Sequence, residues 1–245
     1  MRFGILSDIH GNLCALETVI ASAGHLDGWI CLGDIVGYGP RPNECVSLVR
    51  KIAKVALIGN HDLAAIGRMD ISWFNPFARA AARWTQTALT TESREYLESL
   101  PETWSDAEWD VICAHGSLTD PPRDYVVNRL QARVNFRLMD RQVLFVGHSH
   151  LSHCFTLELS SGACDEDSFH GTSSVSLYPE YHYIINCGSV GQPRDGDPRA
   201  AYGVLDLDRR TVDVIRVDYA IETVQNQMFE AGLPNILAER LEAGL

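Results

Sequence analysis

The chain has 245 residues, 46% of them hydrophobic, and a formal net charge of −12. This length and composition suit a single globular domain of α/β type with a real core. The negative charge argues against a nonspecific nucleic-acid binder, because such binding depends on cationic side chains that neutralise phosphates. It does not exclude a nucleotide substrate, because bound cations would invert the local field.

Cysteine usage and the N-terminus bear on the cellular location. The seven cysteines are an odd number without regular spacing, which favours free thiols in a reducing cytosol over a disulfide framework. No signal peptide fits the N-terminus, because its cleavage would remove Asp8 and His10, two candidate metal ligands from the motifs described below. No apolar stretch reaches the ~18 residues of a membrane span. We therefore predict a cytoplasmic protein without a membrane partner.

The first half of the chain alternates predicted strands and helices. Continuous apolar and β-branched runs predict the strands, and apolar spacing predicts the helices between them. Runs that are apolar throughout indicate a mainly parallel sheet covered on both faces. The predicted strands are 3–7, 29–32, 55–58, 111–113 and 143–146, and the predicted helices are 13–23, 43–52 and 129–139.

Residues 66–110 interrupt this alternation and predict a helical insert rich in Ala, Arg and Trp. The insert follows His61 closely, so we expect it beside the site formed by the motifs below, where it could contact substrate. A pair of helices that only covers the sheet is the alternative, because aromatic residues at helical spacing usually belong to a core.

After residue 150 apolar and polar residues alternate in four segments, 154–159, 181–186, 202–207 and 212–217. This pattern predicts an antiparallel second sheet packed on the first, with a hairpin turn at 208–210. Residues 160–176 are rich in Ser and Gly and predict a mobile loop. The chain from residue 221 onward is predicted to be helical, with a break at 232–234.

Five short polar motifs each follow an apolar run directly. Their Asp, Asn and His side chains form a set of oxygen and nitrogen ligands large enough for two divalent metal ions. Because ligands bind at the carboxyl ends of the strands in open α/β sheets, motifs distant in sequence can converge there. The motifs are Asp-Ile-His at 8–10, Gly-Asp at 33–34, Gly-Asn-His-Asp at 59–62, Ala-His-Gly at 114–116 and Gly-His-Ser-His at 147–150.

In this order the five motifs resemble those of the calcineurin-like metallophosphoesterase superfamily. The flanking sequences at 7–12 and 33–40 and the segment 188–194 are similar to the small bacterial and archaeal phosphoesterases of that superfamily. Some of these are phosphodiesterases or dinucleoside tetraphosphate hydrolases. The resemblance covers nearly the whole chain. It implies a four-layer α/β/β/α sandwich of two mixed sheets flanked by helices.

The resemblance also implies a ligand set for two divalent ions. Asp34 would bridge them, and a hydroxide held between them would attack phosphorus in line with the leaving oxygen. Mn or Fe is the first expectation, and Zn, Ni or Co also suit these donors. One ion would be surrounded by Asp8, His10, Asp34 and His150, and the other by Asp34, Asn60, His115 and His148.

His61 is the candidate catalytic residue, because it follows a ligand without being assigned to a metal. It could protonate the leaving group or stabilise the transition state as an imidazolium, which would need an acidic partner. In phosphoprotein phosphatases of the superfamily, Gly-Asp-x-x-Asp-Arg-Gly supplies that Asp and a phosphate-binding Arg. Here Gly37 and Tyr38 occupy those positions. Asp62 could support His61 instead, although an Asp next in sequence more often stabilises a turn.

Three further residues are candidates for substrate contact. Asn12 and Tyr38 lie next to metal-binding motifs and are the stronger two. Arg194 could contact substrate, or could serve a turn or a salt bridge.

The missing Asp-Arg pair and the similar proteins favour hydrolysis of a phosphodiester or a dinucleoside polyphosphate. The expected partner is thus a small phosphorylated substrate, with a nucleotide as one candidate, and no stable nucleic-acid partner is expected. A phosphomonoesterase or phosphoprotein phosphatase is the alternative enzyme. A noncatalytic metal-binding scaffold is the alternative from another class, and retention of every ligand and of His61 argues against it.

Overall fold

The computed structural model describes all residues 1–245 and contains two six-stranded mixed sheets. In the first sheet the strand order is β3-β2-β1-β11-β12-β9. Strands β1, β2 and β3 are parallel, and β11 joins β1 in antiparallel register. The strands are β1 Arg2–Leu6, β2 Gly28–Cys31, β3 Ala53–Ala56, β9 Ser173–Ser176, β11 Ala200–Asp206 and β12 Thr211–Val217.

The second sheet has the strand order β4-β5-β6-β10-β7-β8. Its central strands β5, β6 and β10 are parallel, whereas β4, β7 and β8 pair with their neighbours in antiparallel register. The strands are β4 Thr103–Asp106, β5 Val111–Ala114, β6 Val143–Val146, β7 Ser152–Glu158, β8 Cys164–Ser168 and β10 Tyr181–Cys187.

Eight α-helices and a final 3₁₀ turn at Arg240–Ala243 complete the chain, and none of the helices is long and apolar enough to cross a membrane. The C-terminal helices are interrupted near Gly232, as predicted. The helices are α1 Leu13–Ser22, α2 Pro42–Ile52, α3 Asn60–Ala65, α4 Pro76–Ala88, α5 Thr91–Glu98, α6 Arg129–Leu138, α7 Ile221–Glu230 and α8 Asn235–Glu239.

Three buried hydrophobic clusters lie between the four layers, which are two sheets with helices on their outer faces. The largest includes Leu6 of β1 and lies between the first sheet and the helices that cover it, among them α1 and α2. The second joins Ile5 of β1 to Phe145 of β6, between the two sheets. The third contains Phe136 of α6 and Leu144 of β6 and lies between α6 and the second sheet. After the exposed Arg2, the other four residues of β1 are buried and apolar, because this strand has the helices on one face and the second sheet on the other. The predicted four-layer α/β/β/α sandwich of two mixed sheets is confirmed.

The predicted division of strands between the sheets is wrong. The four segments after residue 150 do form strands, but β7 and β10 join β6 in the second sheet while β11 and β12 join β1 in the first. The early strands are likewise divided, with β5 and β6 apart from β1, β2 and β3. Alternation of apolar residues predicts a strand but does not select its partner, so neighbours in sequence were wrongly grouped.

Two segments contain strands that were not predicted. Residues 66–110 include α4 and α5, but Thr103–Asp106 forms an edge strand paired with β5. The expected loop 160–176 contains β8 and β9, which are edge strands of the two sheets. In β8 only Cys164 is buried and the other four residues are exposed. An edge strand with so little burial has no apolar alternation to reveal it.

Candidate metal centre

The five motifs converge at one edge of the sandwich, where the parallel strands of both sheets end. Asp8 follows β1, Asp34 follows β2, and Asn60 begins α3 just beyond β3. From the second sheet, His115 follows β5 directly and His148 follows β6. Parallel strands bring their carboxyl ends to the same edge, which is why residues 8 to 150 meet there.

The backbone at this edge is unusual. Non-glycine residues rarely adopt positive φ, and such residues cluster at functional sites. His148 and His150 both have positive φ, so they do not lie on an extended strand. Of the eight non-glycine residues with positive φ, all but Asp110 and Arg210 lie here: Asp8, His10, Asp34, Tyr38, His148 and His150.

The first cluster of potential ligands contains Asp8, His10 and His150, all buried, with ligand atoms within 4.8 Å of one another. The Nε2 atoms of His10 and His150 face each other at 3.1 Å. The Nδ1–H of His10 donates to the backbone carbonyl of Val36, and the Nδ1–H of His150 donates to that of Gln192. Neither neutral ring then has a proton on Nε2, so two lone pairs point at each other. A cation between them would satisfy both.

The second cluster contains Asp34, His115 and His148, also buried and within the same 4.8 Å limit. His115 donates its Nδ1–H to the carbonyl of Leu32 at 3.0 Å, which leaves Nε2 for a metal. His148 uses the opposite nitrogen, because its Nε2–H donates to the carbonyl of Arg123 at 3.0 Å. Backbone carbonyls thus fix the tautomer of each ligand, as is usual around protein metal sites.

Asp34 lies between the two clusters. Its Oδ2 is 3.7 Å from Nε2 of His10 in the first cluster and 3.4 Å from Nε2 of His115 in the second. This oxygen is buried and accepts no hydrogen bond. Buried polar atoms are nearly always satisfied, so an unpartnered carboxylate oxygen calls for a cation. The residues therefore fit a centre of two divalent ions.

Asn60 lies beside the second cluster with its side-chain oxygen near His115. Its Oδ1 lies 3.2 Å from Nε2 of His115. The preceding glycine permits the close approach of its loop, because a Cβ at Gly59 would lie 2.1 Å from Oδ1 of Asp34. Glycine in the Gly-Asn-His-Asp motif is thus required for space.

Burial keeps most of the imidazoles neutral. It lowers the pKa of His148 to about 3, and it holds the pKa values of His10 and His150 well below the ordinary value. Neutral imidazole is the form that ligates a metal. These three side chains are therefore ready to bind cations at neutral pH.

The pKa values of His115 and Asp8 are raised, whereas that of Asp34 is lowered. Burial alone would lower the pKa of His115, but the charge of Asp34, a hydrogen bond to it and the charges of Asp8 and Asp62 together raise this pKa to about 9. Burial opposes ionisation of Asp34, yet the nearby His115 and His61 hold its pKa well below its usual range. Burial raises the pKa of Asp8 to about 6. A ligating imidazole must lose its proton, so metal binding would displace the proton of His115.

His61 belongs to neither cluster of potential ligands. Its ring packs against Tyr38 and Phe74, with centroid distances of 4.4 and 5.1 Å. Its Nδ1 is buried and has no hydrogen-bond partner. Burial lowers the pKa of His61 to about 4. The acidic partner expected for a charged His61 is absent, so the ring is neutral at pH 7.

Asp62 does not support His61. Its two carboxylate oxygens accept hydrogen bonds from the backbone N–H groups of Val36 and Gly59, both at 3.0 Å. It therefore joins the loops after β2 and β3, which is the turn-stabilising alternative considered above.

The two stronger candidates for substrate contact differ in their surroundings. Asn12 is buried, its Oδ1 caps α1 by accepting from the N–H of Ala15, and its amide donates to the carbonyl of Gly191. Both ends of its amide are thus engaged in holding the fold. Tyr38 lines a cavity next to His61.

The same cavity contains side chains that the motifs did not indicate. Trp73 and Phe74, from the segment before α4, lie in its wall, so this part of the 66–110 region does reach the site. Tyr125 and Arg194 line it from the opposite half of the chain. Tyr125 stacks on His148, with ring centroids 3.8 Å apart. Tyr125 stands in a loop without a motif, so no sequence signal could have found it.

Comparisons with known proteins agree with this geometry. The sequence model of the calcineurin-like phosphoesterase family matches residues 1–152. An uncharacterized protein of Methanocaldococcus jannaschii is 34% identical over 254 residues, which covers 98% of this chain and 97% of that protein.

Two solved structures resemble the whole chain. The crystal structure of a metallophosphoesterase from Sphaerobacter thermophilus is 46% identical, with a TM-score of 0.89 over 100% of this chain and 99% of that one. A protein from Pyrococcus horikoshii OT3 shares the fold, with a TM-score of 0.78 at 19% identity over 100% and 98% of the two chains. With the family match and the two ligand clusters, these findings identify the chain as a member of the calcineurin-like phosphoesterase family and a metal-dependent phosphoester hydrolase.

Proposed function

We propose that this enzyme hydrolyses a phosphodiester or a dinucleoside polyphosphate. The observation that carries the proposal is the cavity beside the metal centre, which has a volume of about 250 Å³ and is lined by His61 and Asn60. A phosphomonoester carries one substituent on phosphorus, whereas a diester or a dinucleotide carries a second that needs room. The cavity supplies that room next to the candidate catalytic residue.

In the proposed site the chain supplies seven ligands. Asp8, His10 and His150 would hold one ion, Asn60, His115 and His148 the other, and Asp34 would bridge them. Divalent cations held there would activate water as the nucleophile and neutralise charge on the phosphoryl oxygens.

His61 is proposed to face the leaving group. Its ring lines the cavity, and its backbone N–H donates to Oδ1 of Asp34 at 2.8 Å, which fixes it beside the bridging carboxylate. As a neutral imidazole it would donate a hydrogen bond to the departing oxygen and so stabilise the developing negative charge.

Changing Gly37 to Asp, the residue of the phosphatase motif, is expected to lower turnover at least about 10-fold and not to create a phosphomonoesterase. Gly37 has a φ of +93°, and a Cβ there would lie 2.8 Å from Nδ1 of His61, so the ring would have to move. The measurement is kcat/KM for p-nitrophenyl phosphate and bis-p-nitrophenyl phosphate. The control is Gly67→Asp, since Gly67 has a similar φ of +79° but open space around it. A rise in monoesterase activity in Gly37→Asp alone would contradict this account.

The metal is proposed to be Mn or Fe. The donors are carboxylate, amide and imidazole groups, which also suit Zn, Ni and Co, and selectivity among them depends on metal availability as well as on geometry. We also propose a cytoplasmic location, which the seven unpaired cysteines support, six of them buried.

Removal of metal by EDTA is expected to abolish hydrolysis, and Mn²⁺ is expected to restore it. The restored enzyme should cleave bis-p-nitrophenyl phosphate or diadenosine tetraphosphate faster than p-nitrophenyl phosphate. The measurement is the initial rate on these three substrates, with metal content determined on the same samples and Fe²⁺, Zn²⁺, Ni²⁺ and Co²⁺ compared with Mn²⁺.

Each other result has a defined meaning. Preference for the monoester would place the enzyme among the phosphomonoesterases and refute the proposed substrate class. No turnover with any metal, in protein that contains two ions per chain, would revive the scaffold alternative.

A further inference from the structure

The cavity beside His61 has a wall that the chemistry at phosphorus does not require. Four aromatic rings and one guanidinium contribute to a space of about 250 Å³ that opens to solvent. Only His61 and Asn60 of this lining belong to the proposed catalytic machinery. The other principal lining residues are Tyr38, Trp73, Phe74, Tyr125 and Arg194.

Two of the rings present large apolar faces to solvent. Trp73 is 58% exposed and Tyr125 is 43% exposed. Each of them contacts one other ring: Trp73 packs edge-on against Phe74 at a centroid distance of 4.7 Å, and Tyr125 stacks on His148 with an interplanar angle of 14°. Exposed aromatic rings at the wall of a cavity are suited to stacking on a flat ring of a ligand.

Arg194 adds an unbalanced positive charge to the same cavity. Its Nη2 donates to the neutral amide oxygen of Gln192 at 2.9 Å, and its buried Nε has no partner. Arg240 lies next to it, bonded to the same amide oxygen and 4.9 Å above the ring of Tyr38. Neither guanidinium forms an ion pair with a carboxylate. Two adjacent arginines without a carboxylate form a site for an anion such as phosphate.

We propose that this cavity is a nucleoside subsite, in which Trp73 and Tyr125 stack on a nucleobase while Arg194 binds a phosphate oxygen of the same molecule. The inference rests on the proposed function and narrows it, because it makes a base-bearing phosphoester the substrate class. Stacking tolerates any base, since every base has a π face. The subsite therefore distinguishes nucleotides from sugar phosphates and does not distinguish one base from another.

The test is calorimetric binding of two probes to the Mn²⁺-loaded protein. Adenosine 5′-monophosphate and ribose 5-phosphate share the phosphate and the ribose and differ in the base. We expect the nucleotide to bind at least about 10-fold more tightly, and Trp73→Ala to remove most of this difference. Phe77→Ala is the matched control, because Phe77 is a nearby aromatic residue, 50% exposed, outside the cavity lining.

Arg194→Gln should weaken binding of both probes by a similar factor, because the phosphate is common to them. Arg83→Gln, an exposed arginine of α4, is the control and should change neither. Equal affinities of the two probes for the unchanged protein would overturn the inference, as would an unchanged ratio in both Trp73→Ala and Tyr125→Leu. Because binding is measured without turnover, such a failure is distinct from a failure of the hydrolysis panel, which would refute the proposed function.

Discussion

Replacing Asp34 by Asn is expected to reduce the metal content from two ions per chain to fewer than one, and to abolish most hydrolysis. Oδ2 of Asp34 lies within 4 Å of an imidazole nitrogen in each cluster and has no other partner. A neutral amide of the same shape removes the charge that both sites share. Changing an outer-sphere partner of a metal site costs roughly 10–100-fold in affinity or activity, so loss of a bridging ligand should cost more.

The measurement is elemental analysis after Mn²⁺ reconstitution and gel filtration, with kcat determined on the same samples. Asp70→Asn is the control, because Asp70 is an exposed carboxylate outside both clusters. The thermal midpoint of the Asn variant without added metal tests whether it folds. A fully occupied dinuclear centre in folded Asp34→Asn would refute the bridging role.

Replacing His61 by Ala should lower kcat by about 10²–10⁴-fold while both metals are retained, in contrast to Asp34→Asn, which should lose metal. His61 belongs to neither cluster, so its removal leaves every ligand in place. What is lost is the hydrogen-bond donor that faces the leaving oxygen in the proposed site.

The dependence on the leaving group separates this role from a structural one. A donor to the departing oxygen matters most when that oxygen is a poor leaving group, so the loss should be larger for an alkyl diester than for a p-nitrophenyl diester. His170→Ala serves as the control, because His170 is exposed and distant in sequence from the motifs. An equal loss on both substrates would show that His61 acts only through packing, and an unchanged kcat would remove it from the mechanism.

The sequence was most informative at the ends of the predicted strands, where the candidate ligands come directly after apolar runs. Asp8, Asp34 and His115 each end a buried apolar run, so strand and ligand are indicated by the same few residues. The partners of the strands could not be predicted in this way. Strand β11 pairs with β1 across about two hundred residues, and its mostly apolar sequence would suit either sheet equally well.

The site was less predictable at its periphery. Trp73 and Tyr125 lie in irregular segments, where no periodicity constrains a side chain and only the folded chain brings them to one cavity. Arg194 is the last residue of the recognisable segment 188–194, but its lack of a carboxylate partner is visible only in three dimensions. The sequence left two roles open for Asp62, support of His61 or stabilisation of a turn, and only the structure shows that Asp62 accepts its hydrogen bonds from the backbone.

The two clusters also have a mechanical consequence for the sandwich. Asp8 and His10 extend from the first sheet and His150 from the second, while Asp34 comes from the first and His115 from the second. A cation bound at either cluster would therefore link the two sheets at the edge where both end. A ligand that binds only the folded chain at 100 times its dissociation constant adds about 2.7 kcal/mol to the free energy of unfolding. Scarcity of metal in the cell would thus lower the stability of the contact between the sheets as well as the hydrolytic activity. It would also shorten the lifetime of the protein.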